Sequence, residues 1–360
     1  MVKGVLQWAC LRLPVLLALS CLPAAIPAGA GGFAGLGSAV EGYAEPERNR
    51  PFTFPGDHGA HPGFRIEWWY LTANLRDAEG RDYGLQWTLF RSALRPETGE
   101  PTTGWSSPQL WMGHAAVTTA EAHHVAERIA RGGIGQAGVV AEPFEAWIDE
   151  WQMAGDWKTL FLRAGGHDFA YDMTLEAHGP LVFHGDGGYS VKSAEGQASY
   201  YYSQPFLTVN GTLTLPAGEV DVVGEAWLDR EWSSQPLAAD QRGWDWFSLS
   251  FDDGHKLMGF VLRDAAGDAY TSATWIASDG TTSAFDDGAF TARALAQAAT
   301  SGADVPVRWR LTLPQRGLDV VVEALNEDSW MATTVPYWEG PVSVSGSHSG
   351  RGYLEMTGYR

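Results

Sequence analysis

The hydrophobic pattern of this chain is almost wholly that of β-strands, and few stretches have a convincing helical periodicity. Short runs rich in β-branched and aromatic residues begin at about residue 52, and turn clusters such as RDAEGRD, DDGH and LPQRGL separate them. The best helical candidate is the single stretch Ala289–Ala299. The pattern therefore predicts an all-β protein, an antiparallel sandwich or barrel.

Two parts of the chain repeat one pattern. The segments that begin at Glu67 and Asp245 each open with an acidic residue, a tryptophan and a second aromatic residue, and each closes with an arginine, Arg91 or Arg263. Later in each half, aromatic residues precede a proline and a strand, in YYSQPFLTVNG and PYWEGPVSVSG. We therefore predict two related antiparallel β domains in tandem.

The predicted divisions follow from this repeat and from composition. Residues 31–50 are rich in Gly, Ala and Glu, which is typical of a flexible lead-in, and the joint between the halves is polar and rich in turn residues. The divisions are a signal peptide at 1–30, a lead-in at 31–50, an N-terminal domain at 51–228, a linker at 229–243 and a C-terminal domain at 244–360.

The first residues have the features of an export signal. Lys3 and Arg12 precede an apolar run that is short for a membrane span, and Ala28–Ala30 fits a small-x-small cleavage site. We expect a mature chain that starts at Gly31 and is periplasmic or secreted; lipidation at Cys21 is the alternative. Both cysteines lie in this segment, so cleavage leaves no thiol for a disulfide, a zinc site or a nucleophile.

Composition narrows the function classes. The net charge of −19 and the lack of a Lys/Arg run argue against nucleic acids and anionic membranes as partners. The 17 tryptophans indicate large apolar or amphipathic surfaces. No Gly-x-Ser-x-Gly elbow, phosphate loop or dinucleotide fingerprint is present, so neither an α/β-hydrolase mechanism nor a nucleotide cofactor is indicated.

Three neighbourhoods of acidic and aromatic residues carry the candidate chemistry. Strand alternation puts Glu67 on one face with Trp69, leaves Asp245 as the polar member of an apolar face, and joins Asp229 to Glu231. A buried carboxyl has a raised pKa and can donate a proton near neutral pH. The alternative is an ion pair that ties strand to strand, with Arg65, Arg91, Arg230 or Arg263 as the partner.

Histidines and tyrosines add candidates for binding. Asp57, His58 and His61 have a spacing found in zinc sites, but the surrounding Gly and Pro residues make this stretch a loop. We therefore expect these histidines to bond to a structured loop or line a pocket, and we assign no metal. In the run Tyr200–Tyr202, Tyr201 faces opposite to its neighbours.

Several stretches together resemble the AttH/CrtC-type lipocalin-like family, which includes carotenoid hydratases and secreted proteins loosely described as hydrolases. The resemblance covers nearly all of the predicted mature chain and implies two lipocalin-like β domains, a ligand site near where they meet, and no cofactor. The stretches are FPGDHGAHPGFRIEWWYLTANL, YGLQWTLFR, GGYSVKSAEGQASYYYSQP, AWLDREWSS, GWDWFSL and YWEGPVSVSG.

The resemblance also suggests a chemistry. The hydratase branch adds water across a terminal isoprenoid double bond, which requires a strong acid and aromatic faces that stabilise a cation. That branch has a histidine two residues before the tryptophan that corresponds to Trp232, whereas this chain has Arg230. We expect this arginine to pair with Asp229, Glu231 or an acidic ligand. Trp232 and Asp245 are the site residues that the resemblance implies.

The leading hypothesis is an exported protein that binds an apolar, isoprenoid or lipid-like small molecule and promotes its acid-assisted hydration or isomerisation. A non-catalytic carrier and a hydrolase with an unrecognised site are the alternatives. The catalytic candidates are Asp245, which is preferred, Glu67, Asp229 and Glu231. The ligand-binding candidates are His58, His61, Trp69, Tyr201, Trp232, Trp246 and Glu339.

Overall fold

The computed structural model describes Met1, Leu36, Ser38, residues 41–96 and residues 104–359. The predicted signal peptide, apart from Met1, lies outside these residues, and so does the lipidation candidate Cys21. The described chain forms two curled antiparallel β-sheets and contains no α-helix. The predicted all-β, lipocalin-like fold class is therefore confirmed.

The first sheet forms a nearly closed barrel and the second a half-barrel. The strands of the first sheet are β1 (Ile66–Asp77), β2 (Asp82–Ala93), β3 (Gln109–Thr118), β4 (His123–Arg131), β5 (Ala137–Ala141), β6 (Phe144–Ile148), β7 (Trp151–Gly155), β8 (Thr159–Gly165), β9 (Ala170–Ala177), β10 (Val182–Phe183), β11 (Tyr189–Val191), β12 (Ala198–Leu215) and β13 (Gly218–Ser233). The strands of the second are β14 (Gln241–Phe251), β15 (Lys256–Asp264), β16 (Ala269–Ile276), β17 (Thr282–Phe285), β18 (Thr291–Ala299), β19 (Asp304–Leu313), β20 (Leu318–Ala324), β21 (Trp330–Met331), β22 (Tyr337–Gly346) and β23 (Gly350–Met356). Short 3-10 turns cover Gly56–His58, Gly104–Ser106 and Pro314–Arg316.

The two sheets share one strand order. The path β4-β3-β2-β1-β13-β12-β9-β8-β7 in the first sheet matches β17-β16-β15-β14-β23-β22-β20-β19-β18 in the second, position by position. Glu67 on β1 and Asp245 on β14 therefore occupy corresponding strands, as do the aromatic–proline segments on β12 and β22. This common order is the architecture that the sequence repeat predicted.

Two local predictions need correction. Asp229–Ser233 was placed in a polar linker, but these residues are the buried end of β13, and β14 begins at Gln241. The predicted helix at Ala289–Ala299 is wrong, because Thr291–Ala299 forms β18. This strand pairs with β19 and its side chains are mostly exposed, so sheet pairing overrides the helical propensity of its alanines.

Each strand at the centre of the molecule has two buried faces. One face of β1, with Trp69 and Leu71, enters the core of the first barrel, and one face of β14, with Phe247, enters the core of the second. The other faces meet between the sheets in a third apolar cluster that includes Tyr70 and Trp246. The candidate site lies in this layer.

Gly84 on β2 permits the close approach of the two sheets. A Cβ at this position would lie 2.5 Å from Cγ of Pro341 and 2.8 Å from the hydroxyl of Tyr353, both on the second sheet. A side chain here would therefore push the sheets apart.

Candidate functional site

Glu67 is completely buried and is held as an anion. Arg91 Nε donates to its Oε1, Arg230 Nη2 donates to Oε2 at 3.2 Å, and His61 Nδ1 lies 3.0 Å from Oε2. The other ring nitrogen of His61 lies 3.1 Å from Asp57 Oδ1. Burial raises the pKa of Glu67, but Arg91, His61 and Arg230 outweigh it and hold this pKa at about 2.

Arg230 therefore pairs with Glu67, and not with Asp229, Glu231 or a ligand as the sequence suggested. Its guanidinium lies 3.8 Å from the ring centre of Trp69, and it donates to the backbone oxygen of Gly59 at 2.7 Å. Arg230 thus fastens the loop before β1 to the inner face of β1.

Four of the predicted ligand-binding residues meet at this loop: His58 and His61 belong to it, whereas Trp69 on β1 and Trp232 on β13 contact it. The His61 ring stacks on Trp232 at 3.9 Å, and Trp69 Nε1 donates to the backbone oxygen of His58 at 2.9 Å. The His58 ring stacks on Trp157 at 3.6 Å, and burial lowers the pKa of His58 to about 3, which keeps the ring neutral. These side chains pack the loop against the first barrel, and none of them lines the cavity between the sheets.

No group of three or more His, Cys, Asp or Glu side chains suited to a metal ion occurs in the part of the chain that the structure describes. Within the same residues, no helix is long and apolar enough to cross a membrane.

Asp245, the preferred acid, has an arginine partner. Arg263 Nε donates to its Oδ2 at 3.1 Å, and the Tyr359 hydroxyl donates to Oδ1 at 3.0 Å. Burial raises the pKa of Asp245 to about 6, with Arg263 acting against it. Asp245 shares a strand face with Phe247, so it points into the second core rather than into the cavity between the sheets.

A cavity lies between the sheets, on the faces opposite to Glu67 and Asp245. Its lining is mostly aromatic and aliphatic, with three acidic residues and one lysine. It is lined by Leu36, Ile66, Trp68, Tyr70, Phe90, Lys192, Tyr201, Asp229, Glu231, Pro236, Leu237, Trp244, Trp246, Phe260, Leu262 and Glu355.

Asp229 lines this cavity from β13, and none of the residues that the structure describes forms an ion pair with it. Trp227 Nε1 donates to its Oδ1 at 2.6 Å, the Ser203 hydroxyl donates to the same oxygen, and the Tyr201 hydroxyl donates to Oδ2 at 2.6 Å. Burial raises the pKa of Asp229 to about 7, although these three hydrogen bonds favour the ionised form. Trp246 Nε1 donates to the Tyr201 oxygen at 3.0 Å.

Glu355 enters the cavity from the second sheet. Trp244 Nε1 donates to its Oε1 at 2.6 Å. Burial raises the pKa of Glu355 to about 7, and the charges of Asp229 and Glu231 act in the same direction, against hydrogen bonds from Trp244 and Tyr70. Each sheet therefore contributes to the cavity wall one carboxyl group whose pKa is raised to about 7.

Glu231, the third acid, is neutralised locally. Lys192 Nζ lies 2.8 Å from Glu231 Oε1, and the Ser199 hydroxyl donates to the same oxygen. The ammonium group of Lys192 also lies 4.4 Å from the ring centre of Phe260. This pair forms a polar end of the cavity, and the Glu231 carboxylate is engaged by the Lys192 ammonium group.

Glu339 lies between the sheets and is not among the residues that line the cavity. The Tyr70 hydroxyl donates to its Oε1 at 2.5 Å. Burial raises the pKa of Glu339 well above its ordinary value, which favours the protonated form of this carboxyl group. Glu339 therefore positions the Tyr70 ring, which does line the cavity.

A second cavity continues from the first. Both are lined by Ile66, Phe90, Trp244 and Glu355. The second extends between strands of both sheets to a mostly aliphatic end, lined by Ala93, Leu110, Met112 and Ile129. The connected space suits an elongated apolar molecule with one end near Asp229 and Glu355.

Of the sequence candidates, the structure brings together Asp229, Glu231, Tyr201 and Trp246 at the cavity. Tyr201 faces the cavity, while Tyr200 and Tyr202 pack on the other face, as the alternation predicted. Sequence reasoning missed Glu355, although this acid lies between Leu354 and Met356 and alternation places it on the face away from them.

Comparisons with known proteins agree with this architecture. Residues 45–359 match the family described as AttH-like. A candidate AttH protein from Nitrosomonas europaea is similar in structure, with 31% identity, a TM-score of 0.78, and coverage of 88% of this chain and 100% of that chain. No curated protein sequence matches significantly.

Two more distant structures share the fold. Kievitone hydratase from Nectria haematococca has 14% identity and a TM-score of 0.67, and the match covers 89% of this chain and 97% of that one. CghA, solved with Sch210972, has 12% identity and a TM-score of 0.51, with coverage of 82% and 89%. The extent of the family match decides the assignment: the chain belongs to the AttH-like family.

Proposed function

We propose that this protein binds an apolar, isoprenoid or lipid-like small molecule between its two sheets and catalyses acid-assisted hydration or isomerisation of an alkene in it. The observation that carries the proposal is Asp229. It is a buried carboxyl group at the wall of an aromatic cavity, and among the described residues its partners are neutral hydrogen-bond donors rather than cations. Such a group is protonated near neutral pH and can act as a general acid.

Asp229 and Glu355 supply complementary roles. Protonated Asp229 transfers a proton to one alkene carbon, which leaves a carbocation on the neighbouring carbon. The ring faces of Tyr70, Trp244 and Trp246 line the cavity and stabilise the positive charge. In hydration, a water oxygen bonds to the cation while ionised Glu355 takes the proton that this water loses. In isomerisation, Glu355 takes a proton from a carbon next to the cation instead.

The raised pKa values suit this division of labour. The pKa of each carboxyl is raised to about 7, so at neutral pH the pair commonly holds one proton between them. An acid and a base are then present together on opposite sheets. No cofactor enters any of these steps.

The comparisons support this proposal at the level of the fold. The structure named kievitone hydratase shows that this architecture hosts a hydratase, and the likeness carries no residue role to this chain. A hydrolase has less support, because none of the described residues that line the first cavity is a Ser, Thr or Cys nucleophile.

The test compares Asp229→Asn with wild type. Wild-type protein is incubated with geranylgeraniol, a long isoprenoid with a terminal alkene, in deuterated water enriched in heavy oxygen. Hydration adds both labels, isomerisation adds deuterium only, and a carrier adds neither. We expect Asp229→Asn to lower labelling by roughly two to four orders of magnitude while tryptophan quenching shows retained binding.

Asp245→Asn is the matched control, since Asp245 is equally buried but faces the second core. It should retain labelling. If Asp245→Asn lost labelling and Asp229→Asn kept it, the acid would be Asp245 and the cavity assignment would fail. If wild-type protein bound geranylgeraniol but incorporated neither label into it, the protein would be a non-catalytic carrier.

We also propose that the protein acts outside the cytoplasm, on the basis of the apolar run and the Ala28–Ala30 site. N-terminal sequencing of the mature protein should find Gly31 first. An acylated Cys21 at the start would indicate a membrane-anchored form, and a retained Met1 would contradict export.

A further inference from the structure

His184 reaches Asp229 through a buried chain of hydrogen-bonding groups. His184 Nε2 lies 2.6 Å from Ser203 Oγ, and the Ser203 hydroxyl donates to Asp229 Oδ1. His184 Nδ1 lies 3.0 Å from Thr274 Oγ1, which belongs to β16 of the second sheet. All four side chains are at most 2% exposed, so water does not compete with these contacts.

The direction of the bonds follows from what each group can donate. An indole nitrogen only donates, so Trp227 fixes Asp229 Oδ1 as an acceptor. The Ser203 proton also goes to Oδ1, and the Ser203 oxygen is then free to accept. His184 must therefore carry its proton on Nε2, because a bare nitrogen 2.6 Å from that oxygen would place two lone pairs face to face.

The other end of the ring is equally constrained. Burial lowers the pKa of His184 well below its ordinary value, so the ring is neutral and holds one proton. With that proton on Nε2, Nδ1 is an acceptor, and the Thr274 hydroxyl is the donor beside it. Every bond from Thr274 to Asp229 then points the same way.

We propose that His184 is a positioning residue: as the Nε2–H tautomer, with the Thr274 hydroxyl as the donor to Nδ1, it holds Ser203 as a donor to Oδ1 of Asp229 and so confines the proton of this acid to Oδ2. Oδ2 is the oxygen bonded to Tyr201, which lines the cavity. This series of hydrogen bonds thus places the acidic proton on the carboxyl oxygen that is next to the cavity. It also links Thr274 on the second sheet to Asp229 on the first. This inference rests on the proposed function only for its catalytic consequence.

The tautomer is the first test and needs no ligand. In protein with isotope-labelled histidine, the ring nitrogens of His184 are followed by NMR, with the signals assigned by their loss in His184→Gln. We expect a neutral ring with the proton on Nε2 throughout the range in which exposed histidines titrate. A proton on Nδ1, an imidazolium, or a change of tautomer as Asp229 titrates would overturn the proposal.

Thr274→Val is the second test, because it removes only the hydroxyl group that donates to Nδ1 of His184. We expect the His184 proton to stay on Nε2, because Ser203 still requires it there, and the infrared titration of Asp229 to move up by roughly half a pH unit as the less firmly held ring weakens the Ser203 bond to the ionised form. The other charged groups around Asp229 are Glu231, Lys192 and Glu355, and the substitution alters none of them.

Thr72→Val is the matched control, since Thr72 is a buried strand threonine on β1 that lines a different cleft. It should leave the His184 tautomer and the Asp229 titration as in wild type. An Asp229 titration in Thr274→Val that is identical to that of wild type would refute the proposed coupling from Thr274 through His184 to Asp229.

A third readout separates this inference from the proposed function. With geranylgeraniol as the probe, Thr274→Val should lower labelling about tenfold at unchanged binding. Labelling equal to that of wild type would refute the catalytic role of the chain. No labelling in wild type would count against the proposed function alone, because the NMR and infrared results stand without a ligand.

Discussion

Glu67 and Asp229 are both buried, lie on paired strands and behave in opposite ways. Glu67 on β1 is opposite Trp232, and Asp229 on β13 is opposite Tyr70, only three positions along the ladder. Glu67 faces the first barrel, where Arg91 and Arg230 hold its pKa at about 2 against burial. Asp229 faces the cavity among neutral donors, and burial raises its pKa to about 7.

The difference shows that burial alone does not make a carboxyl group reactive. The position of each acid along its strand decides which face its side chain lies on. The side chains on that face are the partners that the acid can bind. A buried acid with two guanidinium groups is a structural anion, whereas one with only hydroxyl and indole donors retains a transferable proton.

The largest expected effect comes from removing a cation beside Glu67. Arg91→Met should lower the free energy of unfolding by about 3–5 kcal/mol, because it leaves a buried carboxylate undercompensated. Urea denaturation measures it. Arg310→Met removes an exposed partner of Asp319 and should change the free energy of unfolding far less, because solvent screens this ion pair. If both variants lowered the free energy of unfolding by the same amount, burial of the Glu67–Arg91 ion pair would not increase its effect on stability.

The second expected effect is an opposite dependence on pH. The folded-state pKa of Asp229 is raised from 3.8 to about 7, so its favourable contribution is complete below the unfolded value and is lost as pH rises towards 7. Asp229→Asn should therefore gain about 2–3 kcal/mol relative to wild type between roughly pH 5 and pH 8.

The contribution of Glu67 to stability changes with pH in the opposite direction. Its folded-state pKa is lowered from 4.5 to about 2, so its contribution is present above the unfolded value and is lost as pH falls towards 2. Glu67→Gln should destabilise most near neutrality and progressively less in acid. Urea denaturation over a pH series measures both variants, with exposed Asp319→Asn as a control that stays flat above about pH 5. If the free energies of unfolding of the two variants, each relative to wild type, changed with pH in the same direction, the proposed difference between Glu67 and Asp229 would be wrong.

The smallest expected effect concerns one donor to Asp229. Trp227→Phe removes the indole bond to the ionised carboxylate, so the pKa of Asp229 should rise by about one unit. Infrared titration of the carboxyl band measures it. Trp275→Phe, at a buried tryptophan in the second core, should leave this titration unchanged. An unchanged value in Trp227→Phe would show that burial alone sets the acidity.

Much of the fold could be predicted from the sequence, because the positions of the strands depend on local patterns of residues. Short runs rich in β-branched and aromatic residues between turn clusters identified the strands, and the repeat of acid, aromatic residues and a closing arginine predicted two related β domains, in agreement with two sheets of one strand order. Alternation also placed Asp229 and Glu231 on one face and turned Tyr201 away from its neighbours. Nothing in the described residues tests the export signal.

The side chains that bind each acid could not be predicted from the sequence in this way. Arg230 is next to Asp229 in sequence, yet it points to the opposite face and binds Glu67 across the strand pair. Asp245 looked like a lone acid on an apolar face, but Arg263 and Tyr359 reach it from the next strand and the chain end. Such contacts depend on register and on distant segments, which a strand pattern does not contain.

The pairing of β1 with β13 also has a consequence for how the protein folds. Ile66 is opposite Ser233, so nearly the whole first sheet must be in place before this ladder can close, and closing so long a loop is entropically slow. Until then, the edge of β1 is open to wrong partners, including another unfinished chain. Because Tyr70 and Asp229 meet across this ladder, we expect the cavity wall to be among the last parts of the first sheet to form.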